Sequence, residues 1–446
     1  MNSKNINERC LSKFNNKRGI IVLGTKVLII LVLSSLLIAT LFFYSVKVEA
    51  SHDDLDVNNI NNETFVENPT LFIDDQNVDN PTGQVYTFVL SNGAILSDYY
   101  KAKSNDLNIS SGRWTMEQLH ERFPEEIQKI SPNESNKEFL IKKSLIIGKD
   151  VELNISNEII RLYSPPIKDN KPVVIINYGN TTILNSTITS WNPQMNLPDP
   201  NPYHPRSFLV SMGDDGTLNI ANSTIIYLGF SHAGIFTSEA SLGAINYYDS
   251  TGFTIENSII SHNMYGIYTQ NSSNFKIINN QVYNQVGYGL DHLSGSKDFI
   301  IDSNHLFLNG KQGVICAHQC TNVTISNNLV EYNNEGIGLY WLTNSSLVKD
   351  NILKYNNEYG IFVKTTSSDN LVQGNTLIGN GYGIGLLDDS NENTVRDNTI
   401  LYNIRSEDAI YNDDTSESNF IDNNKFTEER DNLSIEEQAE LLHLLR

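Results

Sequence analysis

The chain is poor in cysteine and in positive charge. Three of its 446 residues are cysteine, Cys10, Cys316 and Cys320, so no disulfide framework can hold the fold together. Lys and Arg number 31 against 52 Asp and Glu, which gives a net charge of −21. A surface of this sign repels phosphate backbones, so we exclude general nucleic-acid binding. The sequence allows two alternatives for Cys316 and Cys320, a local disulfide bridge or two semi-buried thiols.

One long apolar run lies near the N-terminus. Residues 27–44 carry no charge, and several Lys and Arg precede them. This order predicts an export signal or a membrane anchor, which leaves the rest of the chain outside the cytoplasm. Val48-Glu49-Ala50 fits a signal-peptidase site, and the residues leave cleavage open. We therefore assign 1–26 to a basic cytoplasmic region and 27–45 to the signal or anchor.

A short repeat dominates the second half of the chain. Six glycines follow one another at steps of 23 or 24 residues: Gly266, Gly289, Gly313, Gly336, Gly360 and Gly383. An asparagine series runs in phase with them: Asn280, Asn304, Asn328, Asn351, Asn375 and Asn398. A fixed period of this length is typical of a solenoid, and the alternation within it is that of strands.

The alternation also predicts which side chains point inward. The residue after each repeat glycine is aliphatic, and these six should form one buried stack: Ile267, Leu290, Val314, Ile337, Ile361 and Ile384. Asparagine tolerates left-handed backbone angles at a bend, and glycine bends without steric cost. Stacked asparagine side chains can also pair with the asparagines of the coils above and below. The predicted fold is all-β, a right-handed parallel β-helix with an N-terminal cap and a short C-terminal helix.

The remaining segments complete the predicted organisation. Residues 51–85 are acidic and rich in Asn, and read as a flexible linker. Residues 86–140 contain a strand-like patch and a short amphipathic helix, which we interpret as the cap of an otherwise open solenoid end. The β-helix itself spans 141–426. The tail, 427–446, has a capping-box pattern followed by leucines and is predicted to be helical.

One coil differs from the others in its chemistry. Asp291 and His292 follow the repeat glycine directly, and Ser294 comes shortly after them. Stacking places the next coil, with His318, beside them, so Asp291, Ser294 and His318 are expected to share an outward patch. Aromatic residues on neighbouring coils would stack on a sugar polymer. The alternative is that a histidine in a turn is merely solvated and that the tyrosines pack across strands.

The cysteines raise the question of a metal. The spacing Cys316-x-His318-x-Cys320 supplies three soft ligands without a fourth, and Cys316 has the inward parity. We therefore predict no metal site and no cofactor. Calcium stays possible, although nothing in the sequence indicates it.

Several phrases resemble one enzyme family. Tyr265-Gly266-Ile267-Tyr268 and Tyr288-Gly289-Leu290-Asp291, with residues 251–258, 206–209 and 189–191, are similar to the mannuronan (alginate) C5-epimerases of the carbohydrate-binding and sugar-hydrolase class. The resemblance covers roughly residues 140–425. It implies that a base removes the proton beside the carboxylate of a uronic acid within a polymer, and that an acid returns one from the other face.

The resemblance also suggests site residues, with departures from the family's Asp-Pro-His-Asp motif. Asp291 keeps the first Asp, whereas His292, Leu293 and Ser294 take the other three places, and His318 stands where the family has its arginine. We predict Asp291 and His318 as catalytic, and His292 only if the turn shifts by one residue, since its parity is inward. The predicted substrate-binding residues are Tyr268, Tyr288, Ser294, Tyr340 and Trp341.

Three functions remain on these grounds. The first is an extracytoplasmic polysaccharide-modifying protein, a C5-epimerase-like isomerase with a degenerate catalytic motif. The second is a non-catalytic glycan-binding or cell-envelope structural β-helix. The third is a polysaccharide lyase. The expected partner is a polysaccharide that contains uronate, and the membrane is contacted only through the N-terminal segment.

Overall fold

The protein is a stack of β-strand coils. A computed structural model describes residues 106–131, 137–164, 172–214, 216–231, 242–404 and 409–427. Eleven coils, counted from the strand at Leu145 to the strand at Ile410, form a parallel β-solenoid, which confirms the predicted fold class. The predicted signal or anchor, the linker, the start of the cap and the C-terminal helix lie outside the described residues. Within those residues no helix has the length and apolar character needed to cross a bilayer.

The helix α1 spans Met116–Arg122. The strands of the first coils are β1 (Leu107–Thr115), β2 (Ile127–Lys129), β3 (Lys137–Ile141), β4 (Leu145–Ser156), β5 (Glu158–Tyr163), β6 (Val174–Asn177), β7 (Asn180–Leu184), β8 (Thr187–Asn192), β9 (Leu197–Pro198), β10 (Phe208–Met212), β11 (Thr217–Ala221) and β12 (Thr224–Ile226).

The strands of the middle coils are β13 (Ile245–Tyr248), β14 (Thr254–Glu256), β15 (Ile259–Ser261), β16 (Ile267–Gln270), β17 (Lys276–Ile278), β18 (Gln281–Tyr283), β19 (Leu290–Leu293), β20 (Lys297–Asp302), β21 (His305–Phe307), β22 (Gln312–Ala317), β23 (Thr321–Ser326) and β24 (Leu329–Glu331). Those of the last coils are β25 (Glu335–Tyr340), β26 (Leu347–Lys349), β27 (Ile352–Lys354), β28 (Tyr359–Lys364), β29 (Leu371–Gln373), β30 (Thr376–Ile378), β31 (Tyr382–Leu387), β32 (Thr394–Arg396), β33 (Thr399–Leu401), β34 (Ile410–Asn412), β35 (Phe420–Asp422) and β36 (Lys425–Thr427).

Each regular coil contributes three strands in a fixed register. Its first and second strands belong to a 22-stranded sheet, and its third belongs to a 14-stranded sheet. Every strand pairs in parallel with its equivalent in the next coil, so that Ile337 lies opposite Ile361 and Phe362 opposite Gly385. Equivalent residues therefore form straight rows along the solenoid axis, and a site on one coil is adjacent to the same position on the next.

The inward stack agrees with the sequence prediction. All six residues that follow the repeat glycines are fully buried: Ile267, Leu290, Val314, Ile337, Ile361 and Ile384. The residues two places later, from Thr269 to Leu386, are fully buried as well. A column of stacked rings, Phe253, Phe275 and Phe299, runs beside them with centroids 4.6 and 4.3 Å apart. The core is therefore continuous from coil to coil.

Replacing Ile337 with alanine is expected to lower the free energy of unfolding by about 2–5 kcal/mol, since it removes fully buried atoms and leaves a cavity. Urea unfolding followed by circular dichroism measures this change. Ile300→Ala is the matched control, because Ile300 lies on the outward side of β20 and is 38% exposed. Equal losses in the two variants would contradict the inward register.

The asparagine series pairs from coil to coil, as predicted, but it does not make the bends. Asn304, Asn328 and Asn351 lie inside the solenoid, where the Oδ1 atom of each accepts hydrogen bonds from the backbone N and the Nδ2 of the asparagine one coil earlier. The left-handed backbone angles fall one residue earlier, at Ser303 and Asn327 for example. These asparagines therefore hold neighbouring coils together, and the residues before them make the bends.

The repeat glycines also act differently from the prediction. None of the six has a left-handed backbone angle. Instead, a Cβ on Gly336 would lie 2.2 Å from the carbonyl oxygen of Gly360, and a Cβ on Gly266 would lie 2.3 Å from that of Gly289. Glycine is needed because consecutive coils approach each other closely here, and the need is not for a bend.

The two ends of the described solenoid differ. Before the first coil, β1 pairs with β4, and α1 begins at a capping box formed by Thr115 and Gln118. Met116 and Leu119 on this helix are fully buried against the core. At the other end Phe420 and Phe426 are largely exposed.

Candidate functional site

The outward side of the first strands carries the distinctive residues. One row of this surface, which we call the outer face, runs through Asn246, Tyr268, Asp291, Ile315, Gly338 and Phe362. Tyr268, Ile315 and Phe362 belong to a second apolar cluster, separate from the core. Asp291 is thus a carboxylate placed between a buried tyrosine and a buried isoleucine.

Asp291 is held in an unusual state for a carboxyl group. The residue is only 1% exposed, and its Oδ2 atom has no hydrogen-bond partner among the residues that the structure describes. Burial raises the pKa of Asp291 to about 7, and the ammonium of Lys311 opposes this rise. A carboxyl that exchanges its proton near neutral pH is suited to acid–base chemistry, and its burial without a partner costs free energy that a purely structural role would not require.

Lys311 and Tyr288 complete the surroundings of this carboxyl. The Nζ atom of Lys311 donates a hydrogen bond of 3.2 Å to the Tyr288 hydroxyl and lies 4.6 Å from the centre of the Tyr288 ring. Burial lowers the pKa of Lys311, and Asp291 raises it. Burial raises the pKa of Tyr288, and Asp291 adds to the rise. We call Asp291, Lys311 and Tyr288 the Asp291 site: it combines a carboxyl, a cation and a phenol.

Tyr268 lies beside this site on the preceding coil. Its hydroxyl donates to the Oε1 atom of Gln270 over 3.1 Å, and its ring contacts that of Tyr248 with centroids 5.6 Å apart. Burial raises the pKa of Tyr268 well above its ordinary value, and Asp291 adds to this effect. Its phenol therefore stays protonated and forms an uncharged wall next to Asp291.

His292 points into the core. It is fully buried between the rings of Phe275 and Phe299, with centroids 5.4 and 4.7 Å away, and its Nδ1 is hydrogen-bonded to the Thr269 hydroxyl over 2.8 Å. Burial lowers the pKa of His292 to about 3. The turn is not shifted by one residue, so the suggested catalytic role of His292 does not agree with the structure. The inward parity read from the sequence is correct.

His318 and Ser294 lie in the turns that follow the first strands. The backbone N of Ser294 donates to the carbonyl of Ala317, so the two turns are adjacent, as predicted. However, His318 lies three residues beyond Ile315, which is directly opposite Asp291. This offset corresponds to about 10 Å along a strand. The expected single patch is therefore two separate places. The sequence analysis did not single out Lys311, whose charge opposes the rise in the pKa of Asp291.

The aromatic residues predicted to bind substrate also fall into two groups. Tyr268 and Tyr288 accompany Asp291, whereas Tyr340 and Trp341 accompany His318. The His318 ring lies 4.5 Å from that of Trp341 and 6.4 Å from that of Tyr340, centre to centre. Burial lowers the pKa of His318, so its ring is neutral at pH 7.

Both described cysteines are free and fully buried. Cys316 lies opposite His292 on the next coil, and the Cys320 thiol donates to the carbonyls of Ala317 and His292 over 3.2 and 3.3 Å. Burial raises the pKa of Cys316, which keeps it a thiol. In the part of the chain that the structure describes, no three His, Cys, Asp or Glu side chains are grouped to hold a metal ion.

Comparison with known proteins places the fold. A family model described as periplasmic copper-binding protein (NosD) matches residues 219–413 and 318–442, which together span half of the chain. The crystal structure of the periplasmic alginate epimerase AlgG is similar with a TM-score of 0.58 and 16% identity, over 72% of this chain and 84% of that one. The A-module of the Azotobacter vinelandii mannuronan C-5 epimerase AlgE4 reaches a TM-score of 0.49 and 14% identity, over 72% and 86%.

No curated protein matches the sequence. At these identities the structural similarities establish the fold alone. They confirm, at that level, the resemblance to the C5-epimerases seen in the sequence.

Proposed function

The chain belongs to the NosD family, and from that premise we propose that it is an extracytoplasmic protein that modifies a polysaccharide by removing and returning a proton at C5 of a uronic acid residue. The single observation that carries the proposal is the Asp291 site on the outer face of the solenoid. Among the described residues its buried carboxyl has an oxygen without a hydrogen-bond partner, and the carboxyl interacts electrostatically with Lys311, which donates to the Tyr288 phenol. The periplasmic location in the family's description supports the extracytoplasmic assignment.

The three groups match the needs of this reaction. The C5 proton is weakly acidic because it lies beside a carboxylate, so the reaction needs a base, a cation and an acid. Asp291 takes the C5 proton, and Lys311 neutralises the substrate carboxylate as negative charge moves onto it. The Tyr288 phenol gives a proton to C5 from the opposite face. Asp291 then releases its proton to water, and the Tyr288 phenolate takes up a proton from water, so both groups return to their starting states.

Burial of the site sets a condition on this chemistry. Because Asp291 is 1% exposed, a polymer must displace neighbouring side chains to reach Oδ2. The ring of Tyr268 is one candidate, since Tyr268 is buried and lies directly opposite Asp291 on the preceding coil. Such displacement brings the substrate into a site that excludes water, where the Lys311 charge acts strongly.

The residues do not fit the copper ion in the family's description. Copper in proteins prefers thiolate, thioether and imidazole ligands. Cys316, Cys320 and His292 are the soft donors that lie together, but Cys316 is kept protonated by burial and the thiol of Cys320 is bonded to carbonyl oxygens. We therefore assign no step of the reaction to a metal.

A second candidate function is glycan binding without catalysis. It is favoured by the departures from the Asp-Pro-His-Asp motif of the C5-epimerases. Leu293 occupies the place of the base, and His318, at the place of the arginine, is remote from Asp291. In that case the outer face would hold a polymer, and the Asp291 carboxyl would only contact it.

Proton exchange at C5 distinguishes the two functions. We expect the protein, incubated in D2O with polymannuronate, polyguluronate or polygalacturonate, to introduce deuterium at C5 and to change the C5 configuration, as seen by NMR. Asp291→Asn should lower the rate about 100-fold or more, because it removes the base. Asp298→Asn is the matched control, since Asp298 is an exposed carboxylate on the following strand.

The other outcomes are equally clear. If the wild-type protein binds these polymers but neither exchange nor inversion occurs, the catalytic proposal fails and glycan binding replaces it. If ultraviolet absorbance shows unsaturated uronate products, the proton is removed but the neighbouring sugar is expelled. The protein is then a lyase.

A further inference from the structure

A second feature of the outer surface lies beyond the Asp291 site, at the turn after the first strands. His318, Tyr340 and Trp341 pack together there on two adjacent coils, and Lys364 lies directly opposite Tyr340 on the next coil. We call these four residues the aromatic ledge. None of them takes part in the proton transfer described above.

Trp341 is the exposed centre of the ledge. Its side chain is 38% exposed, while its ring lies 4.5 Å from that of His318 at an angle of 32°, and 6.3 Å from that of Tyr340. One side of the indole is thereby supported, and part of it remains open to solvent. Burial keeps His318 neutral at pH 7, so the pair presents apolar ring surface.

The backbone beneath the ledge bends in the same way on successive coils. Trp341 and Leu342 have φ values of 50° and 60°, both in the left-handed region, and so do His318-Gln319 on the coil before and Thr365-Thr366 on the coil after. The bend therefore belongs to the fold, and at this position it places an indole ring at the surface.

Lys364 adds a positive charge to a chain that is mostly acidic. Its ammonium lies 3.5 Å from the carboxylate of Asp388, and both side chains are about half exposed. An exposed ion pair contributes little to stability, so a ligand carboxylate can replace Asp388 at small cost. An apolar ring surface next to an exchangeable ammonium matches an acidic pyranose, which has an apolar C–H face and a carboxylate at its edge.

We propose that the aromatic ledge is a separate subsite for one acidic sugar residue of the polymer, with the pyranose ring on Trp341 and its carboxylate on Lys364. Trp341 lies two coils beyond Asp291 and three residues further along the strand direction. This places it about 14 Å from Asp291 at the ordinary strand spacings. A chain bound at both places therefore spans several sugar residues, and the ledge holds long chains in position at Asp291. This role rests on the proposed function in one respect: the Asp291 site and the aromatic ledge bind the same polymer.

Tryptophan fluorescence tests the ledge directly. Oligomers of mannuronate are titrated into the full-length protein and into variants, and a neutral glucan oligomer serves as the comparison ligand. We expect Trp341→Ala to weaken the binding of long acidic oligomers roughly ten-fold, in line with the loss of one stacked ring. Lys364→Met should weaken the acidic oligomers alone. Calorimetry replaces fluorescence for the variant that lacks Trp341, and thermal melting confirms that each variant is folded.

Tyr332→Ala is the matched control. Tyr332 is also exposed, has a φ of 56° and stacks on an aromatic ring of the next coil, Tyr355, at 5.3 Å. Its removal should leave binding unchanged. Unaltered affinity in Trp341→Ala, or an equal loss in Tyr332→Ala, would overturn the subsite.

The Asp291→Asn variant separates this inference from the proposed function. It should lose activity and keep the affinity that depends on Trp341. If the wild-type protein shows no C5 exchange while Trp341→Ala still weakens binding, the enzyme proposal fails and the ledge stands. If exchange occurs and Trp341→Ala leaves KM for long oligomers unchanged, the ledge fails and the enzyme proposal stands.

Discussion

Replacing Asn351 with alanine is expected to lower the free energy of unfolding by about 3–6 kcal/mol, because this buried side chain joins three coils. Its Oδ1 accepts from the backbone N and the Nδ2 of Asn328, both at 2.9 Å. Its Nδ2 donates to the Ile325 carbonyl at 2.9 Å and to Asn375 Oδ1 at 3.0 Å. Alanine would leave the Asn328 N–H and the Ile325 carbonyl buried without these partners, each at a cost of about 1–3 kcal/mol, and would add a cavity.

Equilibrium unfolding in urea measures this loss. Asn357→Ala is the control, since Asn357 is exposed on the same coil and should change stability by no more than about 0.5 kcal/mol. A loss below about 1 kcal/mol in Asn351→Ala would show that the internal asparagines fill space without holding the coils together.

The second large effect is the pH dependence of stability caused by Asp291. Its pKa in the folded protein is about 7, above the ordinary value of 3.8, because burial disfavours the carboxylate. Between these two values the folded protein binds more protons than the unfolded chain, so stability falls as pH rises. Three pKa units correspond to about 4 kcal/mol, which is lost in full above pH 7.

Asp291→Asn removes this penalty, so the variant should be more stable than the wild type above about pH 7 and nearly equal to it near pH 4. Chemical unfolding of both proteins across this range gives the difference directly. Other titrating groups are present in both proteins and cancel, including Glu158, whose pKa burial also raises to about 7. A variant that is less stable than the wild type at high pH would show that attraction to Lys311 outweighs the cost of burying the carboxylate. Higher stability together with lost activity is typical of a residue kept for function.

The fold could be predicted from the sequence because the same pattern of inward and outward residues recurs in each coil. The residue after each glycine is aliphatic in every coil, so Ile337 and its equivalents could be placed inward from parity alone. Parity also placed His292 in the core. The pairing of asparagines between coils also follows from stacking, and Asn328 and Asn351 show it. The role of glycine could not be derived in this way, because the close approach of Gly336 to the Gly360 carbonyl appears only in the packed coils.

The residues of the Asp291 site differ in how far the sequence indicates them. Asp291 stands in an unusual phrase after the glycine, so the sequence drew attention to it. Lys311 stands before its glycine, in a position that varies from coil to coil, and it reaches Tyr288 because its backbone N donates to the Gly287 carbonyl of the previous coil. Stacking of the coils predicts that Asp291 lies opposite Ile315 and that Ser294 lies near His318, and the structure has both. A single patch does not follow from this, because three residues separate Ile315 from His318. Whether residues on adjacent coils touch depends on their positions along the paired strands. The spacing of motifs in the sequence does not give these positions.

The internal asparagines join successive coils in the same way. Asn328, Asn351 and Asn375 each receive the same two bonds from the coil before and give the same bonds to the coil after. Removing or duplicating one whole coil would leave each remaining internal asparagine with a partner of identical chemistry. The solenoid can thus change length in steps of about 4.8 Å without an unpaired asparagine at the junction.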